Sequence, residues 1–189
     1  DCEELKRHGQ ELIKPNMRVL THCNAGWLAF VEEGTGSATA PIYGAHDEGK
    51  KPFVWVDETR PRLQGAQLTA WELERYGVEH KIITDNSAAS LMAQGKVDLI
   101  ITGADRVCAK SGHAFNKIGT YSLAVLAEYH DIPFYIAAPK STLDKDKTFD
   151  QVVIEERDEK EVKYIYGSTT RPWNGYGTVL AANEGSSAL

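Results

Sequence analysis

The feature that most limits the fold is an alternation. Short apolar runs recur at 18–23, 53–58, 81–85, 97–102 and 133–138, with 152–155 as a possible sixth. Most stop at turn-forming residues, such as Asn24-Ala25-Gly26, Thr59-Arg60-Pro61 and Gly103. Between them lie segments with helical spacing: 3–14, a Gly/Ala/Thr-rich stretch ending near His46 with Gly49 as cap, Leu63 to Tyr76 closed by Gly77, a segment after Asn86-Ser87 ending at Gly95, and Asn116 to Tyr129. A parallel strand pair needs a long crossover, usually a helix, and a strand apolar along its whole length is covered on both faces. The alternation therefore predicts an α/β fold, an open parallel sheet with helices on both faces.

The 189 residues suit one domain, and no internal repeat is visible. From Gly167 the chain is rich in Gly, Ser, Thr and Asn with weak periodicity, so the expected division is a domain over 1–166 and a tail over 167–189. The formal net charge is −6 and the basic residues are scattered, which argues against a nucleic-acid surface. No stretch approaches the roughly 20 apolar residues of a membrane span, and the start, Asp1-Cys2-Glu3-Glu4, has no apolar signal core. Cys2, Cys23 and Cys108 make an odd count without CxxC spacing, which argues against a disulfide framework or a zinc site. A reducing, cytoplasmic setting follows as the expectation.

In an open parallel sheet, ligands bind outside the carboxyl ends of the strands. Those ends carry Cys23-Asn24, Asp57-Glu58-Thr59-Arg60, Asp85-Asn86 and Gly103-Ala104-Asp105-Arg106. Cys23 is either a packed apolar residue or a thiol activated by the amides of the turn that follows it. Asp105 is either a general acid with its pKa raised at an apolar rim, or a turn residue paired with Arg106. Asn116-Lys117 reads as a helix start, which suits phosphate, or as a solvated surface pair. Gln64 lies just after the loop that ends the second strand and reads first as a surface residue at a helix start. Glu58 and Arg60 can pair with each other. His22 precedes Cys23, but strand neighbours point to opposite faces, so it is not read as the base for Cys23. There is no GxGxxG, Walker loop, HExxH or GxSxG, which weighs against dinucleotide enzymes, NTPases, zinc proteases and hydrolases.

Taken jointly, several segments resemble the methylthioribose-1-phosphate isomerase family, within the superfamily that includes the regulatory subunits of the guanine-nucleotide-exchange factor of translation initiation. They are Thr21-His22-Cys23-Asn24-Ala25-Gly26, the run from Val56 to Leu73, Gly103-Ala104-Asp105-Arg106, Asn116-Lys117-Ile118-Gly119-Thr120-Tyr121 and Ile154-Glu155-Glu156-Arg157. The resemblance implies a Rossmann-like catalytic domain and conversion of 5-methylthioribose 1-phosphate to 5-methylthioribulose 1-phosphate, a step of methionine salvage. It implies Cys23 and Asp105 as the catalytic pair and Gln64, Asn116 and Lys117 as substrate contacts. It implies no metal, no organic cofactor and a homodimer. The family also has an N-terminal lobe with an Arg-Gly-Ala loop, and the present residues are expected to follow that lobe. Its Asn-Pro and Phe-Asp-Val-Thr elements have no clear counterpart in Arg171 to Leu189, and Lys110-Ser111-Gly112-His113 differs from the usual Asn-Gly-Asp. Two relatives share features of the pattern: ribose-1,5-bisphosphate isomerase and a non-catalytic exchange-factor subunit. The wording of 63–73 favours the methylthioribose branch, and the presence of both Cys23 and Asp105 favours an enzyme.

Overall fold

The strand ending Leu99-Ile100-Ile101-Thr102 is buried at all four residues, and its place in the architecture explains why. The computed structural model describes residues 2–29, 34–164 and 187–188. Helix α1 (Cys2–Gly9) is followed by β1 (Arg18–Thr21), α2 (Thr39–Asp47), β2 (Phe53–Asp57), α3 (Ala70–Tyr76), β3 (His80–Ile83), α4 (Ser87–Ala93) and β4 (Leu99–Thr102). Then come β5 (Arg106–Cys108), β6 (His113–Asn116), α5 (Thr120–Tyr129), β7 (Phe134–Ile136), β8 (Leu143–Asp144), α6 (Lys160–Lys163) and β9 (Ser187–Ala188).

Five strands form one sheet in the order β3-β2-β1-β4-β7, and every pairing is parallel. Val19 lies opposite Val54 on one side and Leu99 on the other, so β1 is central. Successive residues serve opposite faces. Val19, Val54, Val56, Leu99 and Ile101 join Ile42, Tyr43 and Leu73 in one core. Leu20 and Ile100 join Ala88, Met92, Leu123 and Ala127 in the other. Each fully buried aliphatic side chain contributes about 1.5–3 kcal/mol, which is why β1 and β4 read as unbroken apolar runs. The expected α/β sheet with helices on both faces is the fold found. No helix among the described residues is long and apolar enough to cross a membrane.

The chain builds β1, β2 and β3 outward on one side, then returns to place β4 and β7 on the other. The order reverses between β1 and β4, and the crevice at their carboxyl ends is the usual ligand position in such a sheet.

Four local expectations are corrected. Asn116 does not open a helix: it ends β6, which pairs antiparallel with β5, and α5 begins at Thr120. Strands β8, β5, β6 and β9 form a second sheet that the apolar pattern did not indicate. Residues 152–155 form no strand; a short 3₁₀ turn at Phe149–Gln151 precedes them, and Val153 is 91% exposed. Asn86 makes no side-chain cap; its Oδ1 instead accepts from the Thr84 hydroxyl at 2.8 Å. Of the expected tail, 167–189, only Ser187–Ala188 lies within the described residues, where it pairs with β6.

Candidate active site

The end of β1 is built around an unusual backbone. Cys23 has φ +69°, a left-handed conformation that non-glycine residues seldom adopt and that persists only where the surroundings impose it. Here they do. The Cys23 N–H donates to Thr59 Oγ1 at 2.9 Å, and its carbonyl accepts from Thr69 Oγ1 at 2.6 Å. The same Thr69 oxygen accepts the Ala25 N–H at 3.2 Å.

The next residues are held by Glu72, which is fully buried. Its carboxylate accepts the Trp27 and Leu28 amides at 2.8 and 2.9 Å and the Tyr43 hydroxyl at 3.3 Å. Burial pushes the Glu72 carboxyl up, and these bonds only partly oppose it. The amides of Ala25, within the turn, and of Trp27 and Leu28, just after it, are thus engaged by Thr69 and Glu72. The expectation that the turn aims its amides at the thiol is not met for them.

The end of β2 supports Cys23 from the side. Thr59, itself at φ +62°, donates its hydroxyl to the Asp57 carbonyl. The amides of Thr59 and Arg60 donate to the two oxygens of Asp85 at 2.8 and 2.7 Å. The Arg60 guanidinium donates to the Pro61 and Val162 carbonyls rather than forming an ion pair with Glu58. Gln64 follows, partly buried, and its Oε1 has no hydrogen-bond partner among the described residues; the same is true of Asn24 Oδ1. Buried acceptors of this kind call for donors, which a polyhydroxylated ligand would bring.

At the end of β4, the Asp105 N–H donates to the Phe115 carbonyl at 2.8 Å. Asp105 opens on a recess of about 420 Å³ shared with Arg106, Ser141, Thr142, Asp144 and Lys145. The rim is therefore mainly polar, not the apolar rim expected. Even so, the protein around the carboxyl pushes it above its ordinary value, against the charge of Lys117. Arg106 pairs with Asp144, not with Asp105.

Asn116 is buried, and its Nδ2 donates to Thr120 Oγ1 at 3.0 Å, while that hydroxyl donates to the Lys117 carbonyl at 2.7 Å. The pair therefore occupies a strand-to-helix turn, with the Lys117 charge acting on Asp105. The five residues singled out in the sequence fall at the carboxyl edge of the sheet. Cys23 and Asp105 follow β1 and β4, Gln64 adjoins the end of β2, and Asn116-Lys117 spans the turn beside Asp105.

Sequence reasoning missed the partner of His22. This ring is 1% exposed, with Nδ1 2.8 Å from Asp57 Oδ2 and Nε2 2.8 Å from the Ile118 carbonyl. Burial disfavours charge on the imidazole, but Asp57 and the Ile118 carbonyl outweigh it and raise its pKa. The signal was available once the strands were paired: Thr21 lies opposite Val56, so His22 falls opposite Asp57. His22, Asp57 and Asp85 have ligand atoms within 4.8 Å of one another, yet both His22 nitrogens already hold hydrogen bonds, so the ring could ligate an ion there only by giving one up.

Comparison with known proteins fits this geometry. Over 168 residues the chain is 55% identical to a methylthioribose-1-phosphate isomerase of Cronobacter sakazakii, covering 88% of this chain and 49% of that one. A solved 5-methylthioribose 1-phosphate isomerase from Pyrococcus horikoshii superposes with a TM-score of 0.86 at 42% identity, covering 99% and 51%. A structure described as translation initiation factor eIF-2B subunit delta, from A. fulgidus, superposes with 0.89 at 39% identity, covering 98% and 52%. The chain thus spans about half the length of these relatives. Residues 1–176 carry the pattern of the initiation factor 2 subunit family, and the chain belongs to that family.

Proposed function

We propose that residues 1–166 form the catalytic domain of an aldose–ketose isomerase that converts 5-methylthioribose 1-phosphate to 5-methylthioribulose 1-phosphate. The observation that carries this reading is a juxtaposition: Cys23 and Asp105 follow the two adjacent strands at which the sheet order reverses. The 55% identity to a protein of that name supports the choice of substrate.

The chemistry asks for such a pair. Phosphate on the anomeric oxygen blocks simple ring opening, so the ring must be opened with help. A proton must then move between adjacent carbons, one group taking it and another delivering it. Asp105, with its raised pKa, suits the donor; Cys23 is its counterpart. Gln64 and Asn116 contact the sugar hydroxyls, and the Lys117 ammonium suits the phosphate. No step is assigned to a metal or an organic cofactor.

The reading includes a cytoplasmic homodimer whose ligand is a small sugar phosphate. The net charge of −6 supports a protein that works without nucleic acid. Tyr121, Val125 and Tyr129, spaced four apart on α5 and 55%, 48% and 81% exposed, offer an apolar stripe for a second copy.

The test is turnover of 5-methylthioribose 1-phosphate by this chain and by the chain extended at its N-terminus. Activity is expected in the extended protein, with kcat falling about 10²–10⁴-fold in Cys23→Ser and in Asp105→Asn while both still fold. Absence of turnover by the extended protein overturns the reading and favours a regulatory subunit, to which the likeness to the A. fulgidus structure points. Full activity in either variant removes that residue from the mechanism.

A further inference from the structure

We infer that His22 is a positioning residue that fixes the Asn116–Gly119 turn, and with it Lys117, against the end of the sheet. The inference rests on the isomerase reading for its kinetic consequence, but its structural basis is independent.

A carbonyl oxygen only accepts, so the 2.8 Å contact to Ile118 requires a proton on His22 Nε2. The opposite nitrogen meets Asp57 Oδ2. Asp57 ends β2 and His22 follows β1, so the ring is anchored to the main sheet on one side and holds the turn on the other. A second constraint comes from contact. Gly119 has φ +105°, and a Cβ there would stand 2.8 Å from His22 Cε1 and 3.0 Å from Nε2. The turn approaches the ring this closely only because residue 119 has no side chain.

Two successive carbonyls of the turn are therefore held by different partners, Lys117 by Thr120 from α5 and Ile118 by His22 from the sheet. Thr120 ties the turn to its own helix. His22 ties it to the strand that leads into Cys23 and to the strand that ends at Asp57. Lys117, flanked by these two anchors, is the residue whose charge acts on Asp105. Losing the Ile118 bond would leave the phosphate-binding ammonium less well placed, although His22 itself touches neither Cys23 nor substrate in this scheme.

Two near-isosteric substitutions separate this role from simple packing. In His22→Gln, the amide nitrogen falls near the place of Nε2 and can still donate to Ile118. In His22→Asn, the amide falls near Nδ1, keeps Asp57 and cannot reach Ile118. Positioning predicts that His22→Asn raises KM by about tenfold or more with kcat changed by less than about threefold, and that His22→Gln restores KM. Hydrogen exchange supplies a readout without catalysis. The Thr120 amide, bonded to the Lys117 carbonyl at 3.1 Å, is expected to exchange about tenfold faster in His22→Asn, with β1 amides unchanged and His22→Gln unaffected. The reverse order, with Gln impaired and Asn normal, overturns the inference. So does a fall in melting temperature with KM and Thr120 exchange unmoved. Should His22→Asn not fold, parental KM and exchange in His22→Gln support the inference, and raised values overturn it. If the unaltered extended protein shows no turnover, the isomerase reading fails, and the exchange comparison alone decides the role of His22.

Discussion

The two ends of the proposed catalytic pair are built in opposite ways. Around Cys23, the chain is held by Thr59, Thr69 and Glu72, all fully buried. Their bonds cross from β1 to the residues after β2 and to the start of α3, and they impose a left-handed backbone on a residue with a side chain. Around Asp105, the residue's own N–H reaches the Phe115 carbonyl of β6, the neighbouring Arg106–Asp144 ion pair is half-buried, and the support is a small sheet of short strands. One end is over-determined and the other only leans on its surroundings. A proton-moving pair gains from that division. The backbone that carries the thiol is locked, and the carboxyl stays open to water and under the charge of Lys117.

The largest test of the comparison is at Gly65. A Cβ there would stand 1.8 Å from the Asp57 carbonyl oxygen, a backbone atom of β2 that cannot step aside. Gly65→Ala is expected to cost about 3 kcal/mol or more, at the upper end for overpacking, or to prevent folding. Denaturant unfolding measures it; a midpoint close to the parent would show that the β2 end is less locked than its geometry implies.

A smaller effect is expected at Thr69. Thr69→Val keeps the shape and removes the hydroxyl, leaving the Cys23 carbonyl and the Ala25 N–H without their partner. The loss is about 1–3 kcal/mol, and kcat should fall with it if the backbone of Cys23 matters to the chemistry. At the other end, Arg106→Gln should cost less than about 1 kcal/mol, because an ion pair at a partly exposed site contributes little. If Arg106→Gln proves the more damaging of the two, the contrast between the ends is wrong.

The same contrast governed what the sequence disclosed. Strands β1 and β4 are covered on both faces, so their burial is written in the strand itself as Val19-Leu20 and Leu99-Ile100-Ile101. The site at the carboxyl edge followed from them. Strands β5 and β6 are three and four residues long, and their pairing depends on one another and on β8 and β9. No local pattern encodes that, which is why the sequence suggests a helix start at Asn116 where the structure has a strand end. Residues 152–155 show the converse error: apolar composition does not make a strand, and none of the described residues pairs with this segment. The Cys23 backbone and the His22–Asp57 contact join residues 35 or more positions apart. They were visible only after the strand register was known. The resemblance to known isomerases named the residues of the pair, but the strand order puts them after adjacent strands.

The smallest expected effect is also the one that bears most directly on the exposed end. Asp105 has its carboxyl raised above 3.8 by the protein around it, less than it would be without Lys117. A raised native pKa means that the charged form is disfavoured on folding. The cost is absent below pH 3.8, where the group is protonated in both states, grows as pH rises toward the native pKa, and is constant above it. Asp105→Asn removes the ionisation. Its melting temperature is therefore expected to be slightly above the parent at pH 7 and equal to it at the acid limit, even as turnover is lost. Lys117→Met should move the Asp105 titration further up and enlarge that difference at neutral pH, which carboxyl titration by NMR can follow. A variant Asp105→Asn that is less stable than the parent at pH 7 would mean that the carboxylate is a structural anchor, and the two ends would then be alike.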